Sequence, residues 1–247
     1  MRLLILSDIH ANIDALGAVL DAAPAGTWDR LVVLGDLVGY GAEPNEVIDR
    51  VRALDPIAII RGNHDKAACG LDDGSSFNQV ARYAATWTGE TLTPDNRAYL
   101  RALPPGPLLV DPDVEICHGA PFDEDHYIFD GGDAVQALAV TARPLCLFGH
   151  THLPVVFARR GDALDSVVPE GNDTDEVTLE RGVQYLVNPG SVGQPRDGDP
   201  RAAFGIYDAA RRVLRLQRIV YPVEAALRRI LAAGLPASLA NRLAIGR

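Results

Sequence analysis

The chain has 247 residues, 47% of them hydrophobic, and a formal net charge of −10 at pH 7. That acidity argues against a general nucleic-acid-binding surface, which would be basic. No apolar run approaches the roughly 20 residues needed to cross a bilayer. The apolar run Leu3 to Leu6 is too short for a signal-peptide core, and the three cysteines (Cys69, Cys117, Cys146) lack CxxC spacing. Both points fit a cytoplasmic protein with reduced thiols and no zinc ribbon.

In chain order, RLLILS (2–7) reads as an apolar strand and residues 13–21 as a helix. RLVVLGD (30–36) is a second strand, PNEVIDRVRAL (44–54) a helix with Pro in its first turn, and PIAIIRGN (56–63) a third strand. These strands are apolar at nearly every position, as in a sheet covered on both faces, and their order is that of βαβ units. Residues 66–105 read as mainly helical, with Thr93-Pro94 opening a helix over 95–103. DVEICHG and RPLCLFGH then read as buried strands around a helical pattern at 133–142. From Leu153 the chain turns to shorter strands, LPVVFAR, EVTLE, VQYLVN, AAFGIYD and VLRLQRIVY, with 169–176 as a hairpin loop. Val223, Ala226, Leu227, Ile230 and Leu231 share one helical face. No linker or repeat marks a boundary. One α/β domain over 1–247 is the simplest reading, with a helical insertion at 66–105 and a C-terminal helical segment at 222–247.

Where each apolar run stops, cation-binding residue types begin. Asp8 and His10 follow LLIL, Asp36 follows LVVL, and Arg61, Asn63 and His64 follow IAII. His118 follows VEIC, and His150 and His152 follow LCLF. In extended chain, side chains i and i+2 point to the same side, so Asp8 with His10, and His150 with His152, would face one point. Carboxyl ends of strands are also where open α/β sheets bind ligands. Any one of these residues alone would pass for a turn former, a helix cap or a hydrogen-bonded core histidine. Five of six histidines sorting to strand ends, with two aspartates and an asparagine, is not what independent turns produce. The sixth, His126, lies in the acidic loop FDEDHYIFD and reads as a surface residue.

Asp8, His10, Asp36, Asn63, His118, His150 and His152 are too many for one tetrahedral zinc. Two ions sharing a bridging carboxylate would use them all. Imidazole, carboxylate and carboxamide donors without thiolate suit Mn²⁺, Fe or Zn²⁺, with Mn²⁺ favoured. His64 is left over and free for proton chemistry.

The blocks SDIHAN, GDLVGYG, RGNHD, CHGAP and GHTH, in this order between residues 7 and 152, resemble the calcineurin-like metallophosphoesterase superfamily. The later NPGSVGQPRDGDPRAAF resembles its small bacterial and archaeal branch, the one associated with diadenosine polyphosphate hydrolysis. The resemblance implies two mixed β-sheets packed face to face and flanked by helices. It implies a first metal on Asp8, His10 and His152, a second on Asn63, His118 and His150, and Asp36 as the bridge. A hydroxide between the metals would attack phosphorus while His64 assists the leaving group. The substrate would be a small phosphomonoester, phosphodiester or nucleotide, because GDLVGYG and GNHD depart from the GDxxDRG and GNHE forms of the protein phosphatases. Arg61 and Arg196 are candidates for phosphate contact, and each could equally serve a structural ion pair.

Two other readings fit less well. An amidohydrolase-type centre places its HxH near the first strand and often needs a bridging carboxylated lysine, whereas this strand ends in Asp-x-His and the sole lysine, Lys66, follows the third block. A non-catalytic scaffold, like the retromer subunit that resembles this superfamily, is set against the intact His64 and all seven donors.

Overall fold

Leu3 to Leu6 are all fully buried, although alternate residues of a strand point to opposite faces. The reason lies in the layering. The computed structural model describes all residues, Met1–Arg247, and β1 (Arg2–Leu6) sits inside a sheet covered on both sides. Leu3 and Ile5 pack toward a second sheet; Leu4 and Leu6 pack toward helices.

The first sheet runs β3 (Ala58–Ile59), β2 (Arg30–Val33), β1, β11 (Ala202–Asp208), β12 (Val213–Ile219), β9 (Thr174–Thr178). Its β1, β2 and β3 are parallel, and β11, β12 and β9 continue it antiparallel. The second sheet runs β4 (Leu108–Leu109), β5 (Val114–Ile116), β6 (Leu145–Leu147), β10 (Gln184–Asn188), β7 (Val155–Arg160), β8 (Ala163–Val167). There β5, β6 and β10 are parallel, with β4 and the β7–β8 hairpin antiparallel at the edges. Both sheets are mixed.

Three apolar layers hold this α/β sandwich together. Leu3, Ile5, Val32 and Leu34 meet Ile116, Leu147, Tyr185 and Val187 between the sheets. On the outer face of the first sheet, Leu4, Leu6, Leu31 and Val33 pack with α1 (Ile13–Ala22), α2 (Pro44–Ala53), α4 (Gln79–Thr91), α7 (Val223–Ala232) and α8 (Ala237–Leu243). On the outer face of the second, Cys146 and Leu186 pack with α6 (Gly131–Val140). Two further helices, α3 (Asn63–Cys69) and α5 (Pro94–Ala102), complete the eight. None is long and apolar enough to cross a membrane.

Capping residues explain several boundaries. Asn12 accepts from the Ala15 amide to start α1, Thr93 from Asn96 to start α5, and Asp130 from Gly132 and Asp133 to start α6. The last of these moves α6 two residues upstream of the 133–142 read from the sequence. β4 and β8 were not legible: β4 is only two residues long, and β8 lacks an apolar run because it is a largely exposed edge. β9, read as EVTLE, begins two residues earlier at Thr174, inside the stretch read as loop.

Candidate metal centre

The parallel strands β1, β2 and β3 of one sheet and β5 and β6 of the other bring their carboxyl ends to a common edge, where all seven expected donors lie. Asp8 and His10 follow β1, Asp36 follows β2, Asn63 is the first residue of α3, His118 follows β5, and His150 and His152 follow β6. All but Asn63 are at most 3% exposed.

The i, i+2 pairs meet by another route than strand alternation. The strands have ended, and the backbone at Asp8, His10, Asp36, His150 and His152 is left-handed, with φ of 52°, 49°, 52°, 66° and 61°. Each such residue costs of order 1–2 kcal/mol, which the surroundings must offset. They do so with buried hydrogen bonds. The His10 amide donates to Asp36 O at 3.0 Å, and the His150 amide to the Asp8 carboxylate at 3.2 Å. Asn188 and Ser191, from the NPGS stretch, hold the turns from behind. Asn188 donates to Gly149 O at 2.8 Å and Ser191 to Asp8 O at 2.8 Å. Glycine is required at two close approaches: a Cβ on Gly62 would lie 2.1 Å from Asp36 Oδ1, and one on Gly149 2.1 Å from Ser7 Oγ.

The donor atoms fall into two groups, each within a 4.8 Å span: Asp8, His10, Asp36 and His152 in one, and Asp36, His118 and His150 in the other. Asp36 belongs to both. Asn63 Oδ1 joins the second group, 3.2 Å from His118 Nε2.

Ring orientation shows what these groups are built to receive. His10 Nδ1 donates to Val38 O at 3.0 Å, and His152 Nδ1 to Gln194 O at 2.6 Å. With their protons there, the two Nε2 atoms present lone pairs to each other at 3.0 Å, beside Asp8 Oδ1 at 3.9 and 3.3 Å. Burial lowers the pKa of both rings well below the ordinary value, so neither supplies a second proton. His118 Nδ1 donates to Leu34 O at 2.8 Å, and its Nε2 meets Asn63 Oδ1 and Asp36 Oδ2 at 3.2 and 3.4 Å. His150 is the reverse: Nε2 donates to Asp125 O at 3.0 Å, which leaves Nδ1 for the centre. Lone pairs and carboxylates aimed at one another fit divalent cations, and the backbone carbonyls behind them fix the imidazole tautomers.

The electrostatics agree. Burial pushes the Asp8 carboxyl up to about 6, against the pull of His118. Burial also opposes charge on Asp36 and His118, but their mutual attraction wins, holding Asp36 well below the usual carboxylate range and lifting His118 to about 10. A cation held at Asp36 would compete with a proton on His118.

Residues 1–212 match the family model described as the calcineurin-like phosphoesterase superfamily domain. The chain belongs to the calcineurin-like phosphoesterase superfamily. It is 39% identical to a metallophosphoesterase from Sphaerobacter thermophilus, whose crystal structure superposes with a TM-score of 0.88 over 100% of this chain and 99% of that one. An uncharacterised protein of Methanocaldococcus jannaschii is 32% identical over 98% of this chain and 97% of its own. The phosphodiesterase YfcE of Escherichia coli is 25% identical over 84% and 88%.

In this calcineurin-like phosphoesterase His64 is 4% exposed, with its ring centre 4.3 Å from that of Tyr40 and 4.6 Å from that of Phe77. Its Nδ1 is buried without a partner, and burial, opposed by Asp36, lowers its pKa to about 4. The two arginines part company. Arg61 is forked onto Glu124, with Nε at 3.2 Å and Nη2 at 3.0 Å. Arg196 faces the centre, with Nη2 3.0 Å from Gln194 Oε1 and its guanidinium 5.7 Å from the Tyr40 ring centre. His126 pairs with Asp133 at 3.2 Å, away from both donor groups.

Sequence reasoning missed the residues that hold the donors. Lys66 bonds Asp125 at 2.6 Å and Glu124 at 3.1 Å, and Tyr127 stacks on His150 with ring centres 3.8 Å apart. The one signal available was NPGS, a conspicuous motif with no role assigned to Asn188 or Ser191.

Proposed function

We propose that this protein is a two-metal phosphoesterase acting on small phosphate esters, with one ion on Asp8, His10 and His152, another on Asn63, His118 and His150, and Asp36 between them. The observation that carries this reading is the membership of Asp36 in both donor groups. Nitrogen and oxygen donors, with none of the three cysteines in either group, support Mn²⁺, Fe or Zn²⁺ over Cu⁺ or an iron–sulfur cluster, and Mn²⁺ is the ion we favour. Such ions supply Lewis acidity at the phosphoryl oxygens and make water a nucleophile near neutral pH.

The chain's own groups do the rest. His64 lines the cleft beside Asn63 and His150. Because its buried Nδ1 has no acceptor, a proton there would be an unsatisfied donor, so the neutral ring carries its proton on Nε2. From that atom the neutral ring would donate a hydrogen bond that stabilises the charge developing on the oxygen of the departing alcohol, whose proton comes from water. Arg196, without a carboxylate partner, binds a non-reacting phosphoryl oxygen. One domain over 1–247 in the cytoplasm completes the reading. The test is to strip the purified protein with a chelator, restore Mn²⁺, Fe²⁺ or Zn²⁺ separately, and assay p-nitrophenyl phosphate, its bis ester and a nucleotide panel. Metal-dependent turnover with about two ions per chain is expected; no turnover with any metal overturns the proposal.

A further inference from the structure

Beside the centre opens a cleft of about 360 Å³, within the range of small-molecule sites. Its floor is Asn63, His64 and His150. Aromatic and polar side chains share its walls. Phe77, from the segment between α3 and α4, packs on His64, and Tyr127 packs on His150. Phe129 stacks on Tyr127 in turn, nearly parallel at 4° and 5.2 Å, and is 63% exposed. Exposed aromatic rings leading to a functional centre are a recognition surface.

The charges are as informative as the rings. The cleft lining contains the carboxylates Asp72 and Asp125 and no lysine or arginine. Arg61 is engaged on Glu124, and Lys66 on Glu124 and Asp125; Arg196, 5.7 Å from the Tyr40 ring centre and free of a carboxylate, is assigned above to the reacting phosphoryl group. The lining itself offers no cation for a second phosphate. A leaving group that is itself a phosphate chain would meet Asp72 with no counter-charge, whereas a flat, uncharged ring would meet Phe77 and Tyr127.

We infer that Phe77 and Tyr127 form a subsite for an aromatic, uncharged leaving group, so that the substrate class is an ester joining one phosphoryl group to a nucleoside or similar ring-bearing alcohol. This rests on the phosphoesterase reading above and deepens it. In the step, a water oxygen bonds to phosphorus, the bond from phosphorus to the alcohol oxygen breaks, one proton of that water ends on the alcohol, and the other stays with the phosphate or passes to solvent. The ring of that alcohol stays in the cleft next to His64.

Adenosine 5′-monophosphate and ribose 5-phosphate test this, because they share a primary alcohol leaving group and differ in the base. With Mn²⁺ supplied, kcat/KM for the nucleotide should exceed that for the sugar phosphate by about 10-fold, the scale of one base stacked on aromatic side chains. Phe77→Leu and Tyr127→Leu should each bring the ratio toward one, and Tyr127→Phe should keep it. The ratio cancels damage to the centre that affects both substrates alike. Adenosine 5′-triphosphate, with an anionic leaving group, should be turned over more slowly than the monophosphate. A wild-type ratio near one, a ratio unchanged in both leucine variants, or faster turnover of the triphosphate overturns the inference. Saturation-transfer NMR with adenosine gives a readout independent of turnover. Binding by the wild type that is lost in the Phe77→Leu/Tyr127→Leu double variant supports the subsite even if no ester is hydrolysed, and absence of binding overturns it. Failure of every ester with every metal would instead overturn the phosphoesterase reading.

Discussion

The ε nitrogens of His10 and His152 lie 3.0 Å apart, each ring having given its δ proton to a backbone carbonyl. Two lone pairs held this close repel unless a cation lies beside them. His150, two residues from His152, faces the other donor group. The Gly-His-Thr-His turn therefore contributes one imidazole to each group. Replacing His152 with Ala should release the ion nearest Asp8 and His10, and replacing His150 should release the ion nearest Asn63 and His118. Metal analysis with the Mn²⁺ electron paramagnetic resonance spectrum reads this directly, because loss of either ion leaves an uncoupled Mn²⁺. Equal loss of both ions from either variant would contradict the assignment.

His64 touches neither donor group through its ring nitrogens, so His64→Ala should keep both metals. Activity should fall by about 10²–10⁴ for an ester of a poor leaving alcohol. For p-nitrophenyl phosphate, whose leaving group needs no proton, the fall should be much smaller. Comparing kcat across leaving groups checks this, and a uniform loss would assign His64 a structural role.

Lys66 reaches the centre only through others. It holds Asp125, whose carbonyl accepts from His150 Nε2. Lys66→Met should weaken metal affinity at the His118 and His150 group by about 10-fold, the scale for losing an outer partner of a ligating histidine. Titration of metal into the stripped protein measures it, and unchanged affinity would show that the loop needs no such tether.

Gly62→Ala places a methyl against the Asp36 carboxylate. Overpacking of this kind costs about 1–3 kcal/mol. The cost should be larger in the metal-loaded form, where Asp36 cannot turn aside. Thermal unfolding with and without Mn²⁺ would show whether the metal-induced gain in Tm shrinks.

Away from the centre, Glu43 is raised to about 7 by burial, with Arg229 opposing and Asp14 and Glu46 adding to the rise. A raised carboxyl binds its proton more tightly folded than unfolded. Its contribution is therefore most favourable below the unfolded value and is lost as pH rises through about 7. Glu43→Gln should match the wild type near pH 4 and be more stable at pH 8, by about 1 kcal/mol or 2–4 °C in Tm. Melting curves at the two pH values decide it; an equal difference at both would exclude ionisation as the cause.

The donors were legible because each carries its chemistry in its side chain and stands where an apolar run stops. The layering was legible because strands covered on both faces cannot alternate in polarity. What stayed hidden is of two kinds. Val38, Gln194, Leu34 and Asp125 orient the imidazoles through their carbonyls, and a carbonyl has no residue identity to read. The pairing of Arg61 with Glu124 joins residues 63 apart, brought together only when the loop carrying Glu124 folds over α3. The left-handed turns were hidden for a third reason. Aspartate tolerates that conformation but histidine does not advertise it, so Asp-x-His looked extended when it is coiled.

Four donors come from the first sheet's edge and three from the second's, and Asp36 stands among ligands from both. An ion there is consequently also a rivet across the seam of the sandwich, joining side chains more than a hundred residues apart in the chain. Depletion would open the seam at this one edge while the apolar layers behind it stayed closed. Amide exchange would then quicken first at the turns after β1 and β6, so the protein's local rigidity would report its metal supply.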